Sequence, residues 1–155
     1  MSSTPEQRLQ ELHLILPPAP QPVAVYKTAL RWGNLLFVSG HGPLKPDKTM
    51  ITGRVGQDLT LEQGKEAARQ TGLAILATVR EALGSLNKVK RLIKTFGMVN
   101  CTADFRDQPQ VINGFSELMR DVFGPEAGVG ARSAVGHNAL PGNIAVEIEC
   151  IFEVE

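Results

Sequence analysis

The chain is poor in the residues and motifs that usually announce a chemistry. It has only two cysteines, Cys101 and Cys150, far apart and without a CxxC pair. That excludes a disulfide scaffold and a thiolate zinc site, and leaves two buried, inert thiols as the expectation. Its three histidines, His13, His41 and His137, have no HExxH-type spacing, so no metal centre is expected. There is no GxxxxGK(S/T) phosphate loop, Gly128-Val129-Gly130 is too sparse for a dinucleotide fingerprint, and no GxSxG elbow occurs. Neither sign of charge is in excess: 16 Lys and Arg balance 16 Asp and Glu. A nucleic-acid binder usually carries a basic surplus, so nucleic acid is not the expected partner. No apolar run approaches the roughly 20 residues of a membrane helix, and the first twelve residues are polar where a signal peptide needs an apolar stretch. A cytoplasmic protein with no membrane partner is expected.

What is present is enough material for one core. At 155 residues and 43% hydrophobic, the chain predicts a single folded domain. Residues 1–22 read as an arm. Thr4, Pro5 and Gln7 form a helix start with a capping box, Leu9, Leu12 and Leu16 share a face, and four prolines between Pro17 and Pro22 make a stiff extended connector. The domain proper is residues 23–155. It opens with two strands over Val23–Ser39 around Gly33-Asn34, followed by a loop from His41 to Gly56.

A long helix begins at the Thr60–Gln63 capping box, lines up Ala68, Gly72, Ile75, Val79 and Leu83, and stops at Gly84. Leu92–Cys101 predicts a strand. A second helix starts near Asp107–Pro109, stacks Val111, Phe115, Leu118 and Val122, and ends at Gly124-Pro125. Arg132–Val135 predicts a strand. In the last strand, Ile144, Val146, Ile148, Cys150, Phe152 and Val154 alternate with Ala145, Glu147, Glu149, Ile151 and Glu153. The apolar face belongs under the helices. Strands and two long helices in this order predict an α+β layer pair: one mostly antiparallel mixed sheet with both helices on one face. The other face must meet water or another subunit.

Several residues carry candidate chemistry. Arg132 stands in a small, apolar strand, Gly130 to Val135, where an unpaired guanidinium is costly. Either Glu147 or Glu149 pairs with it, or its fork holds a ligand carboxylate through two parallel hydrogen bonds. Glu147 and Glu149 line the face opposite the core, either as a solvated or interfacial surface or with one carboxylate activating a water beside Arg132. Tyr26, the only tyrosine, is an edge-strand aromatic or a phenol closing a pocket, and Asn113 lies near the start of the second long helix. Lys88, Lys90, Arg91 and Lys94 are expected in a solvated loop between the first long helix and the next strand, with an RNA-contacting patch as the alternative.

Taken together, Gly130-Ala131-Arg132-Ser133-Ala134-Val135-Gly136, Leu140-Pro141 and Val146-Glu147-Ile148-Glu149 resemble the C-terminal signature of the reactive-intermediate deaminase (Rid/YjgF) family, called endoribonuclease L-PSP in older naming. Gly33-Asn34, Val38-Ser39-Gly40 and Pro43 resemble its N-terminal pattern. The resemblance runs from Tyr26 almost to the end of the chain. It implies a chorismate-mutase-like fold, a homotrimer with ligand clefts between subunits, and cofactor-free hydrolysis of reactive enamines and imines to 2-oxo acids and ammonia. It further implies that Arg132 grips a small carboxylate metabolite, that Glu147 positions the attacking water, and that Tyr26, Ser39 and Asn113 line the cleft. Two positions depart from the pattern. Ala134 replaces a frequent cysteine, a change that preserves a role of the backbone carbonyl there and abolishes a role of the thiol, and His41 replaces a Gln or similar residue and adds a titratable group to the cleft. The long arm and the Gly124–Gly130 loop mark a divergent subgroup. Two other functions share the resemblance: a module that binds a small carboxylate metabolite without turning it over, and an endoribonuclease.

Overall fold

Local sequence signals decide where the helices begin and end. In the computed structural model, which describes residues 2–155, both predicted capping boxes are complete. The Thr4 hydroxyl accepts from the Gln7 amide and the Gln7 side chain accepts from the Thr4 amide, opening α1 (Pro5–Glu11). Thr60 and Gln63 repeat the arrangement at α2 (Leu61–Leu83). Each box satisfies two donors that a helix start otherwise leaves orphaned. The third helix, α3, spans Gln108–Phe123.

The arm lies against the ends of α2 and α3. Glu6 forms a 2.6 Å ion pair with Arg80 and accepts from the Leu86 amide, and the Arg80 hydrogen bond holds its carboxyl below the ordinary glutamate value. Of the three leucines expected on one helical face, only Leu9 lies within α1, and it is buried. The chain leaves the helix at Leu12 and turns at His13 (φ 53°), so Leu14 and Leu16 reach the core from an extended segment instead.

Five strands form one mixed sheet in the order β1-β2-β5-β3-β4: β1 Ala29–Trp32, β2 Leu35–His41, β3 Val89–Asn100, β4 Ala131–His137 and β5 Val146–Val154. All neighbours are antiparallel except β3 and β4. The first strand starts at Ala29, six residues later than the sequence predicts, and Val23 and Val25 stand in solvent. Before Ala29 the chain meets β2 at Thr28, whose carbonyl accepts from the Ser39 amide at 3.0 Å. The basic cluster is also placed differently. Lys88 closes a short 3-10 turn (Leu86–Lys88), whereas Lys90, Arg91 and Lys94 belong to β3, because Val89 and Leu92 between them are core residues.

The alternation of β5 is resolved as its pattern predicts. Val146, Ile148, Cys150, Phe152 and Val154 are buried beneath α2 and α3, and Glu147, Glu149, Ile151 and Glu153 emerge on the opposite, open face. The core is one cluster between helices and sheet, with Ile75, Val79, Ile112, Phe115 and Phe152 fully enclosed. The two long helices touch backbone to backbone at Gly114, where an added Cβ would overlap the Lys65 carbonyl oxygen. Gly114→Ala is therefore expected to destabilise the protein by about 3 kcal/mol, since backbone cannot yield as a side chain does. Urea unfolding measures it; a loss under about 0.5 kcal/mol would contradict so tight a crossing.

Candidate functional site

Arg132 leaves β4 on the helix face. Its Nη1 donates to Asn113 Oδ1 at 2.8 Å and to Ser116 Oγ at 3.1 Å, both on α3. Among the described residues no carboxylate pairs with it, and Nε and Nη2 bond no other group. The guanidinium borders a hollow of about 230 Å³ lined by Leu92, Thr95, Ser116, Val129 and Gly130. Asn113 and Ser116, three apart on α3, thus aim the fork and leave its other donors uncommitted. Asn113 is a candidate from the sequence and Ser116 is not, although their three-residue spacing puts both on one helical face.

The ion pair with Glu147 or Glu149 is excluded within one chain. Glu147 faces Met98 across β5–β3, and Met98 faces Val135 across β3–β4. Arg132 is therefore two strands and three residues away, roughly 14 Å between Cα atoms, and it projects from the other side of the sheet. A water beside Glu147 cannot also lie beside Arg132 of the same chain.

Glu147 sits on the open face against β2. Gly40 makes room for it: a Cβ there would come 2.6 Å from Glu147 Oε1. Burial pushes the Glu147 carboxyl above its ordinary value, the Glu149 charge adds to this, and His137 opposes it. The carboxyl borders a hollow of about 320 Å³ that Tyr26, Thr28, Gly42 and Met50 also line. Tyr26 also borders a larger hollow of about 570 Å³ over the sheet, walled by Leu30, Phe37, Phe96 and Ile151. Ser39 borders that larger hollow, and its hydroxyl donates to the Lys27 carbonyl at 2.6 Å, which ties the segment carrying Tyr26 to β2.

His41 also lines the smaller hollow, beside Glu147, but its imidazole is hydrogen-bonded toward the helices. It is buried, 4% exposed, on the helix side of β2. Its Nδ1 bonds the Ser39 carbonyl at 2.6 Å, so that nitrogen carries the proton, and Nε2 accepts from the Thr78 hydroxyl at 2.8 Å. Burial pushes its pKa down, so it stays neutral. His41 thus pins β2 to α2 while bordering the hollow, as a buried, neutral wall residue. Ala134 packs its methyl toward the core. Its peptide group, however, points out of the sheet. His137 accepts from the Cys101 amide, so by strand alternation Arg132, Ala134 and Gly136 turn their N–H and C=O groups to the free edge of β4.

The structure thus makes two half-sites, one around Arg132 and one around Glu147, Tyr26 and Ser39. No three His, Cys, Asp or Glu side chains among the described residues are grouped to hold a metal ion. Among them, too, no helix is long and apolar enough to cross a membrane.

Comparison with known proteins gives a consistent picture. Residues 6–153 match the family described as "YjgF/chorismate_mutase-like, putative endoribonuclease". The chain is 39% identical over 146 residues to Protein TCP17 of Trypanosoma cruzi, covering 94% of this chain and 91% of that protein. It is 31% identical over 140 residues to a 2-iminobutanoate/2-iminopropanoate deaminase of Dermatophagoides farinae, covering 90% and 93%. Among solved structures, the protein Atu1372 of unknown function from Agrobacterium tumefaciens superposes with a TM-score of 0.89 at 42% identity, over 97% of this chain and 92% of that one.

Proposed function

This chain belongs to the YjgF/chorismate mutase-like family, and from that premise we propose that it hydrolyses small, reactive 2-imino and 2-enamino acids to 2-oxo acids and ammonia, without a cofactor, in clefts between the subunits of a homotrimer. One observation carries the reading: Arg132 is an oriented guanidinium with no acidic partner among the described residues. A planar fork held from behind, with free donors in front, suits a carboxylate arriving from outside. The deaminase from Dermatophagoides farinae, at 31% identity, supports the reaction class.

The same geometry supports an assembly of subunits, which the resemblance makes a homotrimer. Arg132 and Glu147 lie on opposite faces of one sheet, so a single ligand reaches both only if they come from different chains. The open face supplies an apolar surface for such contact. Phe37 is 41% and Leu30 51% exposed, more apolar area than a lone sheet face gains by showing to water. The unpaired edge of β4 is a second surface that a monomer would leave open.

In the proposed cleft, Arg132 of one subunit holds the substrate carboxylate while Glu147 of the neighbour faces the imine carbon. Water attacks that carbon of the protonated imine. As the O–C bond forms, the C=N π pair moves to nitrogen and Glu147 accepts a proton of the water. The protonated Glu147 then returns the proton to the amine nitrogen of the carbinolamine. Glu147 next takes the hydroxyl proton as the C–N bond breaks, leaving a 2-oxo acid and ammonia, which takes up that proton as ammonium. A half-buried carboxyl with a raised pKa suits a group that must accept and release a proton in turn. Tyr26 and Ser39 shape the mouth of the cleft, and the outward peptide of Ala134 offers a carbonyl to the departing nitrogen. Because imines hydrolyse readily in water, positioning supplies most of the rate.

The test generates 2-imino acids in place with an amino-acid oxidase and measures how fast they are lost to semicarbazide trapping. Less trapped imine on adding the protein supports the reading. An unchanged yield, with 2-oxo acids binding by calorimetry, would instead make the cleft a binding site.

A further inference from the structure

The threonines buried in the core differ in one respect. Thr71 donates to the Ala67 carbonyl at 2.9 Å, and Thr78 donates to the His41 ring at 2.8 Å. Thr95 is 2% exposed, and among the described residues its hydroxyl bonds no other group. A buried hydroxyl without a partner is costly. Nor is it sealed away, for the one side-chain atom so orphaned among the described residues is Asn100 Oδ1. The Thr95 hydroxyl therefore keeps accessible surface, and the space that Thr95 lines is the hollow of about 230 Å³ beside Arg132.

Register joins the two residues. Thr95 faces Arg132 across β3–β4 and Cys150 across β3–β5. Facing residues of adjacent strands point to the same side of a sheet, so the hydroxyl and the guanidinium share the helix side, one strand spacing of about 4.8 Å apart at the backbone.

The remaining walls are fixed by the backbone. The Leu92 amide donates to the Ala127 carbonyl at 2.7 Å, and the Gly128 amide donates to the Gly124 carbonyl at 2.8 Å. An added Cβ at Gly128 would come 2.3 Å from the Met119 carbonyl oxygen, and one at Gly130 would come 2.6 Å from that of Leu92. The loop is thus pressed onto α3 and β3. Between its two glycines, Val129 lines the hollow and is 58% exposed, which places it at the mouth. This is a preformed pocket with apolar sides, an uncommitted hydroxyl and an arginine at its border.

We propose that this hollow takes the side chain of the substrate, and that Thr95 selects a short side chain carrying a neutral hydrogen-bonding group such as a hydroxyl. The inference rests on the reading of Arg132 as the holder of the substrate carboxylate. Size sets the first limit. The volume lies below the roughly 300 Å³ at which pockets for drug-sized ligands begin, so only a few heavy atoms fit. Chemistry sets the second. An aliphatic tail would cover the Thr95 hydroxyl and leave it unpaired, whereas a hydroxyl on the tail pairs with it. A second carboxylate would find no further cation, because the other residues lining the hollow carry no charge.

The experiment measures by calorimetry the binding of two 2-oxo acids of equal length. One is 2-oxopentanoate; the other, 2-oxo-4-hydroxybutanoate, has a hydroxyl where the first has its terminal methyl. Wild type is expected to bind the hydroxy acid about tenfold more tightly. Thr95→Ser should keep that preference, and Thr95→Val, which puts a methyl in place of the hydroxyl, should abolish or invert it. Were Thr95 only structural, Thr95→Val would lower stability and leave the ratio of affinities in place, which overturns the inference. Equal affinities in wild type overturn it too. Val129→Trp tests the pocket from its exposed mouth, without disturbing the core: it should weaken both acids about tenfold and spare pyruvate, whose methyl needs little room. Should Thr95→Val fail to fold, a Val129→Trp chain that binds all three acids like wild type still overturns the inference. A wild type that shows the preference but leaves imines intact supports the subsite and removes only the hydrolytic reading. One that hydrolyses imines but binds the two acids equally does the reverse.

Discussion

Arg132→Ala is expected to lower kcat/KM for 2-imino acid hydrolysis by about a hundredfold or more, mostly through KM. Two charge-assisted hydrogen bonds to a carboxylate are worth about 3 kcal/mol or more together, and each 1.4 kcal/mol is roughly tenfold. Arg132→Lys keeps the charge and loses the fork, so it should recover only part of the loss. Folding should be little affected. The residue is half-buried, its partners Asn113 and Ser116 are polar groups at the rim of α3, and no buried acid is left unpaired by its removal. Steady-state kinetics beside urea unfolding separate the two effects. Equal kinetics in wild type and Arg132→Ala would take the residue out of the mechanism.

Glu147→Gln should affect catalysis and stability in opposite directions. Removing the base is expected to lower kcat by roughly 10²- to 10⁴-fold, the usual contribution of a positioned general base. Stability at neutral pH should rise. The folded protein holds this carboxyl above its ordinary value of 4.5. A raised carboxyl favours folding fully only below its unfolded pKa, and that contribution disappears as pH climbs through the folded value. At pH 7 the ionised Glu147 is therefore a cost that glutamine removes, and below pH 4.5 wild type and variant should converge. Urea midpoints measured across the pH range give the comparison. A destabilised Glu147→Gln at pH 7 would mean that the carboxylate is held by favourable contacts, contrary to its position between burial and Glu149.

The two predictions rest on features of unequal legibility. The alternation in β5 predicted which of its faces is buried, because a two-residue period leaves no other solution when one set is wholly apolar. The helix starts at Thr4 and Thr60 were equally readable, because a capping box is a local device. Arg132 was recognisable as an anomaly, since a guanidinium in a run of small residues must answer to something. Of the two answers the sequence offered, a ligand carboxylate stays open, and an acid of the same chain does not, since Glu147 and Glu149 lie on the wrong face. The groups that hold the fork, Asn113 and Ser116, were not readable as such, because they come from a helix about twenty residues earlier. Strand order decides this, and β4 pairs parallel with β3 rather than next to β5. No local pattern encodes that choice. The bonding of His41 was unreadable for a related reason. Its role depends on Thr78 of α2 lying above it, a contact across 37 residues of sequence.

The resemblance to the deaminases named the residues without giving their arrangement in one chain. Arg132 and Glu147, read from the sequence as neighbours, are held apart by the thickness of a sheet and the width of two strands. The catalytic proposal depends on an assembly that brings one chain's fork to another chain's carboxylate.

Mixing the two inactive chains tests that dependence most directly. If Arg132→Ala and Glu147→Gln subunits assemble at random into trimers, about one quarter of the clefts receive an intact arginine from one chain and an intact glutamate from its neighbour. The account predicts that the mixture regains about a quarter of wild-type activity from two parents that have almost none. A mixture no more active than the average of its parents, in trimers shown to have exchanged subunits, would contradict it.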